Sequence, residues 1–171
     1  FATPAAPAPA DAESLRAAAQ VLEGADRVTL LVGQGARHAR AEVLELAERL
    51  QAPMVVSLQA KEGFDHDNPY EVGQSGLIGN PGTAEALSAC DVLFMIGTDF
   101  PYREFLPDSA VVIQLDSRVE HIGRRTQVAH PLVGDSRATL AALLPQLTGR
   151  ESSAHLDAAR STYETWAKGQ A

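Results

Sequence analysis

The sequence predicts an α/β fold built on a parallel sheet with helices on both faces, and three observations carry that prediction. Short apolar, β-branched runs at residues 28–32, 54–57, 91–96 and 111–115 suit strands buried on both sides. Helical periodicity alternates with them, as right-handed βα crossovers require. Loops rich in glycine and polar residues follow the strand ends, where open α/β sheets bind ligands.

Taken in order, residues 1–10 are Ala/Pro-rich and read as a semi-extended interdomain linker. Residues 11–23 carry Leu15, Ala18, Ala19 and Leu22 at helical spacing, with Asp11 as cap and Gly24 as stop. The first strand, Val28 to Val32, runs directly into Gly33-Gln34-Gly35-Ala36. That turn either cradles a phosphate on free N–H groups or is a plain tight βα turn. His38 stands where a third glycine of the dinucleotide fingerprint belongs, and Ser57 where its acidic residue belongs, so an ordinary NAD site is disfavoured.

A helix over 39–50, with Val43, Leu44, Ala47 and Leu50 on one face, leads to the second strand. Residues 58–80 read as a long polar, glycine-rich connection of the kind that is usually functional. A helix over 83–90 and the strand 91–96 come next, then the loop Gly97-Thr98-Asp99-Phe100-Pro101-Tyr102-Arg103. The strand 111–115 ends at Asp116, whose carboxylate either accepts from ribose hydroxyls or caps a turn. A short strand is expected at 127–130, a strand-end loop at 132–135, a closing helix over 136–147 and a helical tail over 151–168. The expected layout is a linker (1–10), a nucleotide-binding domain (11–148) and a C-terminal linker or helical tail (149–171).

Composition narrows the chemistry. A length of 171 residues suits one domain with its own core. Cys90 is the one cysteine, so no disulfide framework exists, and a reducing cytoplasm is the expected setting. Fourteen basic against 22 acidic residues give a formal charge of -8, unfavourable for nucleic acid and anionic membranes. The chain has no membrane-length apolar run and no signal-peptide pattern; starting at Phe1, it reads as a piece of a larger protein. Five histidines lack metal-ligand spacing, and neither a nucleophile elbow nor a Walker loop is present. Glu62, Asp65 and Asp67 read as a solvated loop, Cys90 as a buried thiol, and Arg124-Arg125 as surface charge or a phosphate contact. Tyr70, Phe100 and Tyr102 are either loop anchors or platforms for a planar ring.

The succession Gly33-Gln34-Gly35-Ala36, Lys61-Glu62, Asp67-Asn68-Pro69-Tyr70, Gly76-Leu77-Ile78-Gly79, Gly97-Thr98-Asp99-Phe100-Pro101-Tyr102-Arg103, Gln114-Leu115-Asp116, Ile122-Gly123 and Leu132-Val133-Gly134-Asp135 resembles the central domain of thiamine-diphosphate-dependent 2-oxo acid enzymes. Asn-Pro-Tyr, Gly-Leu-Ile-Gly and Gly-Thr-x-Phe-Pro-Tyr-Arg are most similar to the pyruvate-oxidising branch, bacterial pyruvate oxidase and the quinone-linked pyruvate dehydrogenase. The resemblance covers about residues 12–147. It implies a three-layer Rossmann-like domain that holds FAD, between two flanking domains that bind thiamine diphosphate and Mg and that this chain does not contain.

Carried over, it implies that Gly33 and Gly35 meet the cofactor backbone, with Ser57 and Leu58 beside it. Ser75, Gly76, Leu77 and Ile78 would line the ribityl and phosphate stretch. Gly97, Thr98, Asp99, Phe100 and Arg103 would form the next wall, and Asp116, Ser117, Asp135 and Ser136 the adenosine end. The fragment alone is expected to be inactive, its parent a homo-oligomer, and any membrane contact to depend on segments outside this chain. Asp99 departs from the neutral or basic residue of relatives, and a carboxylate there repels a diphosphate unless it is paired. Relatives that decarboxylate or ligate without flavin keep the same fold. A flavin-free central domain of a decarboxylase or acetolactate-synthase-like carboligase is therefore the alternative.

Overall fold

A computed structural model describes residues 7–170. Six parallel strands form one sheet in the order β3-β2-β1-β4-β5-β6. They are β1 (Val28–Val32), β2 (Met54–Val56), β3 (Glu71–Gln74), β4 (Val92–Ile96), β5 (Val111–Asp116) and β6 (His130–Val133). β1 and β4 are central and every residue of both is buried, so alternate side chains feed opposite cores. Leu30, Val32, Phe94, Ile96, Ile113 and Leu115 face one core, and Leu31, Val55, Leu93, Met95 and Val112 the other.

Helices α1 (Ala12–Gly24), α2 (Arg40–Leu50) and α5 (Ser136–Leu143) cover the first face. On the second lie α4 (Pro81–Ala89) and α6 (Ala154–Lys168), while α3 (Lys61–Phe64) is a single turn beyond β2. Asp11 caps α1 by accepting from the N–H groups of Glu13 and Ser14. Asn80 and Thr83 form a reciprocal capping box on α4, with Pro81 in its first turn. Among the described residues no helix is long and apolar enough to cross a membrane.

The structure departs from the sequence expectation in five places. Residues 58–80 are not structureless. They contain a 3-10 turn (Leu58–Ala60), α3 and the edge strand β3, whose one fully buried apolar side chain, Val72, leaves no periodic signal. The last strand lies at His130–Val133, not 127–130, because the core is reached by Leu132, and Pro131 is tolerated on an edge strand. A 3-10 segment, Gln34–Ala39, precedes α2, which buries Leu46 while Leu44 is partly exposed. The closing helix stops at Leu143 and continues as the turn Leu144–Gln146, where Pro145 cannot donate. The tail helix begins at Ala154 and lies against α4. Its Ala159 is fully buried, and a Cβ on Gly82 would stand 2.9 Å from the Ala159 carbonyl oxygen.

Residues 1–6 of the expected linker lie outside the described residues. Further along, the Asp135 N–H donates to the Ala8 carbonyl (2.8 Å), and the Ala10 N–H to the Thr139 hydroxyl (3.0 Å).

Thr29 anchors α4 and α6 together from β1. Its hydroxyl donates to the Ala86 carbonyl at 2.7 Å and lies 2.9 Å from His155 Nε2. With its one proton committed to Ala86, the hydroxyl accepts from His155, so the neutral imidazole carries its proton on Nε2. Burial pushes the His155 pKa below its ordinary 6.5, with the Arg27 charge adding to the effect. The unfolded chain then takes up the proton first as pH falls. Stability from this group is complete above about 6.5 and declines as pH drops from there through the lower folded value. His155→Gln should flatten that part of the urea-denaturation profile; an unchanged slope would refute the assignment.

A second test concerns Gly97, whose φ of +61° is left-handed and whose added Cβ would lie 2.5 Å from the Ala36 nitrogen and the Gly35 carbonyl carbon. Gly97→Ala should cost about 2–5 kcal/mol in urea unfolding, from backbone strain plus overpacking. Gly24→Ala, with open space around its Cβ position, should be neutral or slightly stabilising.

Candidate cofactor cleft

β1 and β4 are hydrogen-bonded neighbours whose chains leave the sheet toward opposite faces, which makes the gap between their carboxyl ends the topological switch point. The glycines there serve packing first. A Cβ on Gly33 would sit 2.4 Å from the Gly97 carbonyl oxygen, and one on Gly35 3.0 Å from Gly97 Cα. Their N–H groups are also spent internally. Gly33 donates to the Ile96 carbonyl (2.9 Å), Gly35 to that of Gly97 (3.0 Å) and Ala36 to that of Gly33 (3.1 Å). The tight βα turn therefore accounts for three of the four amides of Gly33–Ala36: two are directed at β4 and its loop, and one closes the turn itself.

Above this junction lies a cleft of about 850 Å³, toward the upper end of small-molecule sites. Gln34, Gly35 and Gly97 form its floor. One wall follows β2 and β3 and consists of Ser57, Leu58, Gln59, Ser75, Leu77 and Ile78. Leu58, Leu77 and Ile78 leave 66%, 77% and 55% of their surface exposed, which gives this wall an apolar rim. The opposite wall follows β4 with Thr98, Asp99, Phe100, Pro101 and Tyr102, and β5 with Asp116, Ser117, Arg118, His121 and Arg125. Phe100 and Tyr102 meet edge to face, with ring centroids 5.6 Å apart.

Every carboxylate in the cleft is paired within the protein. Asp99 accepts from Arg125 Nε at 3.1 Å and lies 2.9 Å from Arg124 Nη1. The repulsion expected from Asp99 is thereby offset, and Arg124 and Arg125 both pair with a carboxylate of the protein itself. Asp116 accepts from the Arg118 N–H (2.9 Å) through one oxygen and meets His121 Nδ1 (3.1 Å) through the other. Turn capping is therefore the role it visibly performs.

The remaining residues assigned by resemblance stand outside the cleft lining. Gly33 is packed under Gly97 and Thr98. Gly76 (φ +97°) lines an adjoining hollow of about 790 Å³, which shares Ser75 and Leu77 with the cleft. Arg103 is exposed at the start of the 3-10 turn Arg103–Phe105. Asp135 caps α5 through the Ala138 N–H and contacts His38 Nε2 at 2.7 Å, and Ser136 is buried as the first residue of that helix. Burial pushes the Asp135 carboxyl up, but the Ala138 N–H and His38 outweigh it and hold the group below the usual carboxylate range.

Sequence reasoning missed Gln34, Gln59, Arg118 and His121. The loop after β5 held the signal for the last two, since it leaves the same sheet edge as the other loops. Tyr70 packs on the first core, away from the cleft. Cys90 is buried, and burial pushes its thiol up to about 11, which suits a structural role. No cluster of three potential metal ligands occurs among the described residues.

A family model described as "Thiamine pyrophosphate enzyme, central domain" matches residues 15–143. An uncharacterized 42.6 kDa protein of Pseudomonas amyloderamosa is 46% identical over 92% of this chain and 39% of its own length. YdaP of Bacillus subtilis, described as thiamine pyrophosphate-containing, is 39% identical over 90% of this chain and 27% of its own. An X-ray structure from Mycobacterium smegmatis, described as a thiamin diphosphate-dependent enzyme, superposes with a TM-score of 0.73 at 26% identity, covering 90% of this chain and 31% of that one. The chain thus spans well under half of these relatives. It belongs to the thiamine pyrophosphate enzyme family, as a central domain.

Proposed function

We propose that this chain is the non-catalytic central domain of a thiamine-pyrophosphate-dependent decarboxylase or carboligase that acts on a 2-oxo acid. The observation that carries this reading is the internal use of the Gly33, Gly35 and Ala36 amides, bonded to the Ile96, Gly97 and Gly33 carbonyls, which takes three of the four N–H groups of the turn away from a diphosphate. Relatives named acetolactate synthase (Arthrospira platensis, 34% identical over 74% of this chain) and 2-ketoarginine decarboxylase (Pseudomonas aeruginosa, 36% over 79%) support it. Pyruvate oxidase of Lactiplantibacillus plantarum is 27% identical over 97%. Thiamine pyrophosphate, with Mg, would supply the decarboxylation chemistry in flanking domains outside this chain. The present residues would keep those domains apart and in register, in a homo-oligomer.

A second reading keeps FAD in the cleft, in an oxidase or quinone-linked dehydrogenase. It is favoured by one observation: a preformed cleft at the switch point whose potentially repulsive Asp99 is neutralised by two arginines. Gly35, Ser57, Leu58, Ser75, Leu77 and Ile78 would then line the flavin side, and Thr98, Asp99, Asp116 and Ser117 the far side. The amide geometry weighs against it at the diphosphate.

The visible spectrum of the full-length protein separates the two. The first reading expects a colourless protein that releases no FAD and liberates CO2 from a 2-oxo acid without an added electron acceptor. A flavin band, released FAD and activity that requires an electron acceptor would overturn it in favour of the second.

A further inference from the structure

The crossover from β5 to β6, residues 117–129, contains no α-helix, only the 3-10 turn Val119–His121 and bends. A helical crossover satisfies its own carbonyls and amides; a non-helical one against a sheet must find partners elsewhere. Gln114 provides two of them, for the His121 carbonyl and the Gly123 N–H. It stands on β5 between Val112 and Asp116, is 2% exposed and faces away from the first core, to which Ile113 and Leu115 belong. Its Nε2 donates to the Thr98 and His121 carbonyls, each at 3.2 Å, and its Oε1 accepts the Gly123 N–H at 2.9 Å. Both amide protons and the oxygen are therefore used.

The three backbone groups belong to two different loops. Thr98 is in the loop after β4, His121 and Gly123 in the loop after β5, and Thr98 and His121 both line the cleft. Gly123, at φ +74°, turns the chain into Arg124 and Arg125, which clamp Asp99 on the first loop. We propose that Gln114 is the positioning residue of this cleft wall. Without reaching the cleft it fixes the spacing of Thr98 and His121, and through them the places of Asp116, His121 and Arg125. A ligand bound there meets a wall whose geometry one buried amide sets. The ligand part of this inference rests on the second reading above, a nucleotide cofactor in the cleft; the wall part stands under either reading.

Side-chain chemistry makes the role specific. Methionine fills similar volume but removes the side-chain partners of the Thr98 carbonyl and the Gly123 N–H, and leaves the His121 carbonyl with the Arg124 N–H alone (3.3 Å). A carboxylate would face two carbonyl oxygens with no proton to give, whereas its protonated form restores one donor.

The test uses the full-length protein, with amide exchange resolved to single residues and with FAD and ADP as probes. In Gln114→Met that unfolds cooperatively, the Gly123 amide should exchange at least tenfold faster while β4 and β5 amides stay protected. ADP or FAD affinity should fall at least tenfold. Gln114→Glu should recover affinity as pH is lowered, which a purely structural loss would not do. Unchanged Gly123 exchange in folded Gln114→Met, or unchanged affinity for a probe that the wild type binds, overturns the proposal. A wild type that binds neither probe defeats the nucleotide reading, and Gly123 exchange then decides the role of Gln114 alone. Should Gln114→Met not fold, the wild-type pattern decides: a Gly123 amide exchanging as fast as that of Arg125 overturns it.

Discussion

The close approach of β1 and β4 at their carboxyl ends is the constraint on which the rest of this domain depends. Parallel strands at the centre of a sheet can exchange ladder hydrogen bonds to their last residue only if the departing loops do not collide. Here the collision is avoided by removing side chains. Gly33 and Gly35 leave room for the Gly97 backbone, and Gly97 takes a left-handed φ to clear Gly35 and Ala36. The ladder therefore continues beyond the strands, with Gly33 and Gly35 donating to Ile96 and Gly97. The loops then diverge to opposite faces, and the space between them is the cleft.

Charge is arranged to leave that space nearly neutral, although the chain as a whole is acidic. Arg124 and Arg125 compensate Asp99, Arg118 pairs with Glu120 at 2.8 Å, and Asp116 is held by a backbone N–H and His121. Such pairs at partly exposed positions add little stability. Their effect is on position, since each draws one loop onto another: the β4 loop onto the crossover after β5, and Asp116 onto His121. Gln114 does the same from beneath with a neutral group. Buried at 2% exposure, it avoids the desolvation cost of a charge at that place.

How much of this was legible in the sequence follows from where the signal lay. β4 is a continuous apolar run, β1 is one but for Thr29 and β5 but for Gln114 and its terminal Asp116, and the bounds read from the sequence agree to within a residue. β3 escaped because Glu71-Val72-Gly73-Gln74 offers one buried apolar side chain, and β6 was displaced because His130-Pro131 lacks the strand signature. Topology alone points to the strand-end loops that hold Thr98 and Asp116, whereas Ser57 and Leu58 are named by resemblance; all four line the cleft. Which groups pair across loops was not legible. The Asp99–Arg125 contact spans 26 positions and Gln114–Thr98 spans 16, and no local pattern encodes either. Asp135 and Ser136 were placed by resemblance, and their local sequence is that of a helix cap, Asp followed by Ser-Arg-Ala, which is the role they fill.

The glycine pair at the end of β1 illustrates why a motif of this kind carries less about ligands than about packing. Two demands can each select glycine there: a ligand backbone that must come close, or a neighbouring strand that already does. With a Cβ on Gly33 placed 2.4 Å from both the Gly97 oxygen and Thr98 Cβ, the second demand alone is sufficient. The residue type is then over-determined and stops discriminating between a nucleotide site and a bare fold. The discriminating quantity is the direction of the amides, which residue identity does not encode and the ladder does. Here those of Gly33 and Gly35 close on β4 and its loop and that of Ala36 on Gly33, so the cleft's main means of holding an occupant is its walls, where the apolar rim of Leu58, Leu77 and Ile78 faces the tethered polar side chains of Asp116, His121 and Arg125.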